Sequence, residues 1–160
     1  QTTFHAKDFH FFLDLGLDCA KSICFTPFFC FFGFIVVSVD NRGTGSRGEE
    51  FKKMTYQELG KYETIDYIET AKYLGSLDYV DKDNIAIFGW SYGGFMTINL
   101  MLSEPGLFKV GVAGGPVIDW KYYEIMYGER YMDTPETNPE GYKSSNLLEK
   151  VKNFRPVKSA

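Results

Sequence analysis

The sequence predicts an α/β fold, a parallel sheet with flanking helices, on three observations. Strand-like and helix-like segments alternate from residue 34 onward, the pattern of strands joined by helical crossovers. The helical segments carry apolar residues at three- and four-residue intervals, which gives each a face to bury. One strand runs into a glycine-bracketed serine, "IAIFGWSYGGF" at residues 85 to 95, the pattern of a sharp strand-to-helix turn.

Taken in order, the chain begins with a change of composition. Ten of its fifteen Phe, all three Cys and both His lie within residues 1 to 34, whereas all eleven Tyr lie at or after position 56. Residues 1–33 are therefore left as an unassigned Phe-rich segment, read as foreign to the fold of 34–160. Residues 22 to 39 carry no charge, but Pro27 and Gly33 interrupt them and no basic flank or small-residue cleavage site frames them, so a membrane span or signal core is not assigned. Phe34 to Val39, rich in branched residues and ended by Asp40, reads as a buried strand.

A glycine-rich loop, "DNRGTGSRGEEF", leads to a predicted helix over Thr55 to Leu74. Its apolar face is Leu59, Tyr62, Ile65, Ile68 (or Tyr67), Ala71 and Leu74. The polar turn "DYVDKDN" precedes a strand at 85 to 89. A helix is expected over Tyr92 to Ser103, stopped at Pro105-Gly106, and "FKVGVAG" supplies a strand near 108 to 113.

With 44% hydrophobic content, 160 residues suffice for one core, and the net charge of −4 with interleaved signs excludes a nucleic-acid footprint. Cys19, Cys24 and Cys30 lack the close pairing and downstream ligands of a zinc site, and no metal or cofactor is expected. Gly43-Thr44-Gly45-Ser46-Arg47-Gly48 matches a dinucleotide fingerprint by letters. That site needs an acid at the end of the next strand; the candidate, Glu63, falls in a predicted helix, so the stretch reads as a flexible loop.

The chemistry concentrates at Ser91. In a nucleophile elbow the helix packs so closely on the strand that only small residues fit two positions before and after the serine, and Gly89 and Gly93 stand there. The turn exposes the hydroxyl and presents the Tyr92 backbone N–H as an oxyanion-hole donor. The serine needs a base. His5 and His10 lie upstream, whereas the order in this arrangement is Ser, then Asp, then His, and none of the 160 − 91 = 69 residues after Ser91 is histidine.

"VVSVDNRGTGSRGEEF", "LGKYETIDYIETAKYLGSLDYVDKDNIAIFGWSYGGF" and "VIDWKYYEIMYGERYMDTPETNPEGY" together resemble the catalytic α/β-hydrolase domain of the prolyl oligopeptidase family of serine peptidases, in its dipeptidyl peptidase IV-like branch. The resemblance runs from about Gly33 to Phe154 and implies a partial, truncated α/β-hydrolase fold over 34–160. It implies Ser91 as nucleophile and Tyr92 as both oxyanion donor and pocket wall. Val117, Trp120, Tyr123 and Tyr127 match further walls of a pocket that would hold the proline or alanine before the cleaved bond. A flat apolar ring suits a cage of aromatic faces. The implied activity is release of N-terminal dipeptides or tripeptides from peptide substrates. A non-catalytic remnant or interaction module, and an esterase on the same fold, are the alternatives.

Several positions depart from the resemblance. Gly115 stands where the family usually has alanine. The triad acid and histidine, the second oxyanion donor and the β-propeller that grips the substrate's amino end find no counterpart, so the chain is expected to be part of a larger peptidase and inactive by itself. Asp119 and Asp133 flank the pocket segment and are not assigned as the triad acid; Glu129 and Arg130 read as a structural ion pair or loop brace. Exposed sheet edges and apolar faces are expected. For the intact protein the resemblance implies a homodimer, and a secreted, periplasmic or membrane-anchored setting rather than a cytoplasmic one.

Overall fold

The computed structural model describes residues 10–14 and 34–154. Four strands form one parallel sheet: β1 (His10–Asp14), β2 (Phe34–Ser38), β3 (Ile85–Trp90) and β4 (Val110–Gly114), in the order β2-β1-β3-β4. The helices are α1 (Glu49–Lys53), α2 (Tyr62–Gly75), α3 (Tyr92–Ser103), α4 (Ile125–Met132), α5 (Pro139–Ser145) and α6 (Leu147–Lys150). The expected parallel α/β architecture is observed. Cys19, Cys24, Cys30 and His5, and residues 22–33 of the uncharged run, lie outside the described residues. Among the described residues no helix is long and apolar enough to cross a membrane.

β1 is a strand that pattern reading does not find. It lies in the segment left unassigned and sits inside the sheet, Phe11 opposite both Ile35 of β2 and Ile85 of β3. Its sequence, "HFFLD", is three apolar residues within a Phe-rich stretch, too short to show a period. β2 is an edge strand as a consequence, half-buried rather than buried as expected.

β3 sets the sheet's inner face. Ile85, Ile87 and Gly89 are buried under α3, while Trp90 on the opposite face is 71% exposed. Gly111 of β4 faces Thr97 and Met101 of α3, which leaves Val110 and Val112 turned outward and half exposed. The expected uncovered apolar face is this one. The core lies between α3 and its neighbours, with Phe95, Met96, Leu100, Phe108, Trp120, Met132 and Leu147 essentially inaccessible.

α3 spans the predicted Tyr92 to Ser103. The predicted helix over Thr55 to Leu74 begins instead at Tyr62. Gln57 and Gly60 take positive φ (64° and 83°), and a Cβ on Gly60 would sit 2.7 Å from the Phe95 ring, so the chain turns there to let α3 approach. The buried face of α2 is Glu63, Thr64, Tyr67, Ala71 and Leu74; Ile65, expected inside, is 47% exposed. Two polar residues head the inner face because each has partners. Thr64 donates to the Gly60 carbonyl and accepts from Asn99 at 2.7 Å.

Candidate active site

The site is built around the junction of β3 and α3. Ser91 takes φ 56° and ψ −110°, a conformation that costs a non-glycine residue about 1–3 kcal/mol. Close packing on both sides holds it. A Cβ on Gly89 would lie 2.1 Å from the Gly93 carbonyl oxygen, so strand and helix touch backbone to backbone. A Cβ on Gly94 would lie 2.6 Å from the Gly114 oxygen. The Ser91 N–H donates to that Gly114 oxygen at 2.8 Å, which fastens the turn to β4.

A serine at a helix N-cap ordinarily accepts a hydrogen bond from the first turn. Ser91 makes no side-chain cap bond and stands exposed, so its hydroxyl is left for chemistry. The Tyr92 N–H opens α3 and has no acceptor within the helix. It lies at the positive end of the helix dipole, suited to stabilise negative charge formed beside Ser91.

The Tyr92 side chain points inward, and its hydroxyl donates to Glu63 Oε1. Glu63 Oε2 accepts the Gly60 N–H at 3.1 Å. Burial pushes the Glu63 carboxyl above the usual carboxylate range against the opposing pull of these hydrogen bonds. Burial first, and the adjacent carboxyl second, push the Tyr92 phenol well above 10. Tyr92, the residue after Ser91, is thus anchored to α2. Sequence reading considers Glu63 only as a nucleotide acid; its spacing to Tyr67, Ala71 and Leu74, at the head of an apolar stripe, is the signal that marks it as buried.

The resemblance-derived pocket residues come together. Trp120 is 2% exposed and stacks on Tyr127, centroids 5.7 Å apart at 10°. It meets Tyr123 edge-on at 5.5 Å and Tyr92 at 5.6 Å. Tyr123 and Tyr127 meet at 86°, and Val117 is buried in the same cluster. Burial and the neighbouring tyrosines push the Tyr127 phenol up to about 12. Tyr92 and Tyr127 also line a cavity of about 380 Å³ shared with Glu63, Leu59, Tyr56 and Tyr131.

His10 does not approach Ser91. It precedes the residue paired with Ile85, at the far end of the sheet, about 20 Å away along six strand residues. Asp119 caps the turn Trp120–Tyr122 through the Lys121 N–H at 2.9 Å and accepts from Asn146 at 2.8 Å. Asp133 accepts from Tyr56 Oη at 2.7 Å and from Gln57 Nε2. Both carboxylates brace the pocket segment. Glu129 and Arg130 form no ion pair with each other among the described residues; Arg130 lies over the Tyr131 ring, 5.5 Å from its centroid. With its guanidinium over Tyr131, Arg130 is turned to that side rather than to Glu129, so the expected pair does not form. Gly115 takes φ +50°, where the family's usual alanine would be strained.

The glycine-rich loop is fastened at its start, whereas Gly45 to Gly48 stand exposed with open space around Gly45 and Gly48. Arg42 grips Asp66 of α2 through Nε at 2.9 Å and a terminal nitrogen at 2.6 Å, and Gly43 packs against Thr55.

The Tyr56 hydroxyl first, and Gln57 second, hold the Asp133 carboxyl below its ordinary range. A depressed carboxyl contributes stability above its unfolded pKa of about 4 and loses it as pH falls through the folded value. Asp133→Asn should therefore lower the thermal midpoint at pH 6 by a degree or two and leave it nearly unchanged at pH 3, on the order expected of an exposed group. Equal losses at both pH values, read by differential scanning calorimetry, would contradict an ionised brace.

Comparison with known proteins gives a consistent result. Residues 25–160 match the profile described as the prolyl oligopeptidase family, a longer stretch than the Gly33 to Phe154 of the sequence resemblance. The "Probable dipeptidyl-aminopeptidase B" of Arthroderma gypseum is 50% identical over 116 residues, covering 72% of this chain and 13% of that relative. That of Coccidioides posadasii is 52% identical over the same length. The crystal structure of Porphyromonas gingivalis dipeptidyl peptidase 4 superposes with TM-score 0.83 at 36% identity, over 95% of this chain and 23% of that one. A Bacteroides ovatus structure named for dipeptidyl aminopeptidase IV gives 0.89 at 43% identity, over 96% and 23%. The chain thus spans a small part of the length of each.

Proposed function

This chain belongs to the prolyl oligopeptidase family, and from that premise we propose that Ser91 is the nucleophile of a serine exopeptidase releasing N-terminal dipeptides or tripeptides after proline or alanine. The observation that carries the reading is the strained, exposed Ser91, whose hydroxyl is withheld from capping the helix it begins. The dipeptidyl-aminopeptidase names of the relatives support the substrate class.

In this reaction Ser91 Oγ attacks the carbonyl carbon as a base takes its proton, and the Tyr92 N–H receives the oxyanion. The C–N bond then breaks, the amine leaves with the proton, and water hydrolyses the acyl-enzyme. Tyr92, Val117, Trp120, Tyr123 and Tyr127 enclose the proline or alanine side chain. The activity belongs to a longer protein of which this chain is a part, with peptide substrates, a homodimeric assembly and a setting outside the cytoplasm.

The reading predicts that the longer peptidase cleaves Ala-Pro-anilide about 10- to 200-fold faster in kcat/KM than Ala-Leu-anilide. One misfitting branched side chain in an apolar cage accounts for about 1–3 kcal/mol. Equal rates on the two would remove the proline cage. A second reading, a non-catalytic module, has one observation in its favour for this chain alone: His10, the described histidine, stands at the opposite end of the sheet from Ser91.

A further inference from the structure

We propose that the cavity beside Tyr92 and Tyr127 is an anion subsite, which takes the carboxylate of an acidic residue next to the proline or alanine held in the aromatic cage. The inference rests on the proposed peptidase reading and adds a substrate preference to it.

The chain carries a net charge of −4, yet the wall of this cavity of about 380 Å³ reverses the sign. Arg42, Lys52, Lys53 and Arg130 line it, and among the described residues Glu63 is its one acidic member. Two of the cations are already committed, Arg42 to Asp66 at 2.6 Å and Lys53 to Glu49 at 3.3 Å. Lys52 and Arg130 form no ion pair among the described residues, and both side chains are exposed at the mouth. Arg130 is held over the Tyr131 ring, which orients its planar fork, the geometry that matches a carboxylate.

The floor suits an incoming acid as well. Glu63 is buried, and its two oxygens accept from Tyr92 and the Gly60 N–H, so its acceptor sites are directed at donors of the fold rather than left bare to an incoming anion. Tyrosine faces along the wall accommodate the methylenes of a glutamate side chain. Because Tyr92 and Tyr127 belong to both the cavity and the ring cluster, a peptide anchored by its proline places a neighbouring side chain here.

The test titrates Glu-Pro-amide and Gln-Pro-amide into the full chain, read by tryptophan fluorescence, since Trp120 stacks on Tyr127. In parallel, 3-phenylpropionate and 3-phenylpropanamide probe the cavity without a proline. Two partly exposed cations should give Glu-Pro-amide about a tenfold advantage, lost in 0.5 M salt at roughly a 4 Å screening length and in the Lys52→Gln/Arg130→Gln double variant. The two substituted side chains are exposed, so circular dichroism should show the variant folded. Equal affinity for the Glu and Gln peptides overturns the anion subsite and leaves the cage standing. Binding of phenylpropionate over its amide, with no response to either proline peptide, keeps the anion site and removes the cage reading. An undiminished advantage in the double variant, or binding of no probe, overturns the proposal.

Discussion

Ser91→Ala in the longer peptidase is expected to lower kcat by about a millionfold with the thermal midpoint unchanged or slightly higher. The hydroxyl makes no side-chain cap bond and stands in solvent, so its removal takes nothing from the fold. Alanine meets the same backbone strain at φ 56°. On the proposed mechanism the variant loses the atom that would form the acyl-enzyme, and the residual rate would come from binding and the Tyr92 N–H alone. Steady-state kinetics on a dipeptidyl anilide, with calorimetry on the same protein, separates the two effects. A loss below tenfold would place the nucleophile elsewhere.

The largest effect on stability is expected at Gly89. In Gly89→Ala the new methyl would lie 2.1 Å from the Gly93 oxygen, 2.2 Å from its carbonyl carbon and 2.6 Å from its Cα. These are backbone atoms, so no rotamer change relieves the clash, and α3 must lift off the sheet by about 1.4 Å to restore ordinary contact distances near 3.5 Å. That helix carries Phe95, Met96 and Leu100, all essentially inaccessible, so the displacement spreads through the core. Overpacking of this kind costs about 3 kcal/mol or more, roughly a 6–12 °C fall in midpoint for a chain of this size. Gly45 is the control, since a Cβ there meets nothing within 4 Å; Gly45→Ala should shift the midpoint by no more than about 2 °C. Similar midpoints for the two variants would mean that strand and helix are not in backbone contact.

The elbow was the most legible part of the sequence because its constraints are local. Gly89 and Gly93 frame the serine, and Pro105-Gly106 lies just beyond the helix, so α3 could be placed at both ends. The start of α2 was not legible, because Gly60 turns the chain to make room for Phe95, a residue 35 positions away. Its inner face was hidden for a related reason. Glu63 and Thr64 fall outside the apolar face expected for this helix, and their partners Tyr92 and Asn99 account for their burial. β1 has no turn signal or alternation of its own and is defined by pairing with β2 and β3 on either side. The tyrosine cage was legible only through resemblance: in composition alone, Trp120, Tyr123 and Tyr127 are indistinguishable from core aromatics.

Fluorophosphonate labelling of the active longer peptidase, with the adduct mapped by mass spectrometry, tests the account most directly. One adduct is expected, on the peptide bearing Ser91, absent in Ser91→Ala and absent from this chain alone, where His10 stands at the far end of the sheet. An active preparation that carries its adduct on another residue, with Ser91 unmodified, would contradict it.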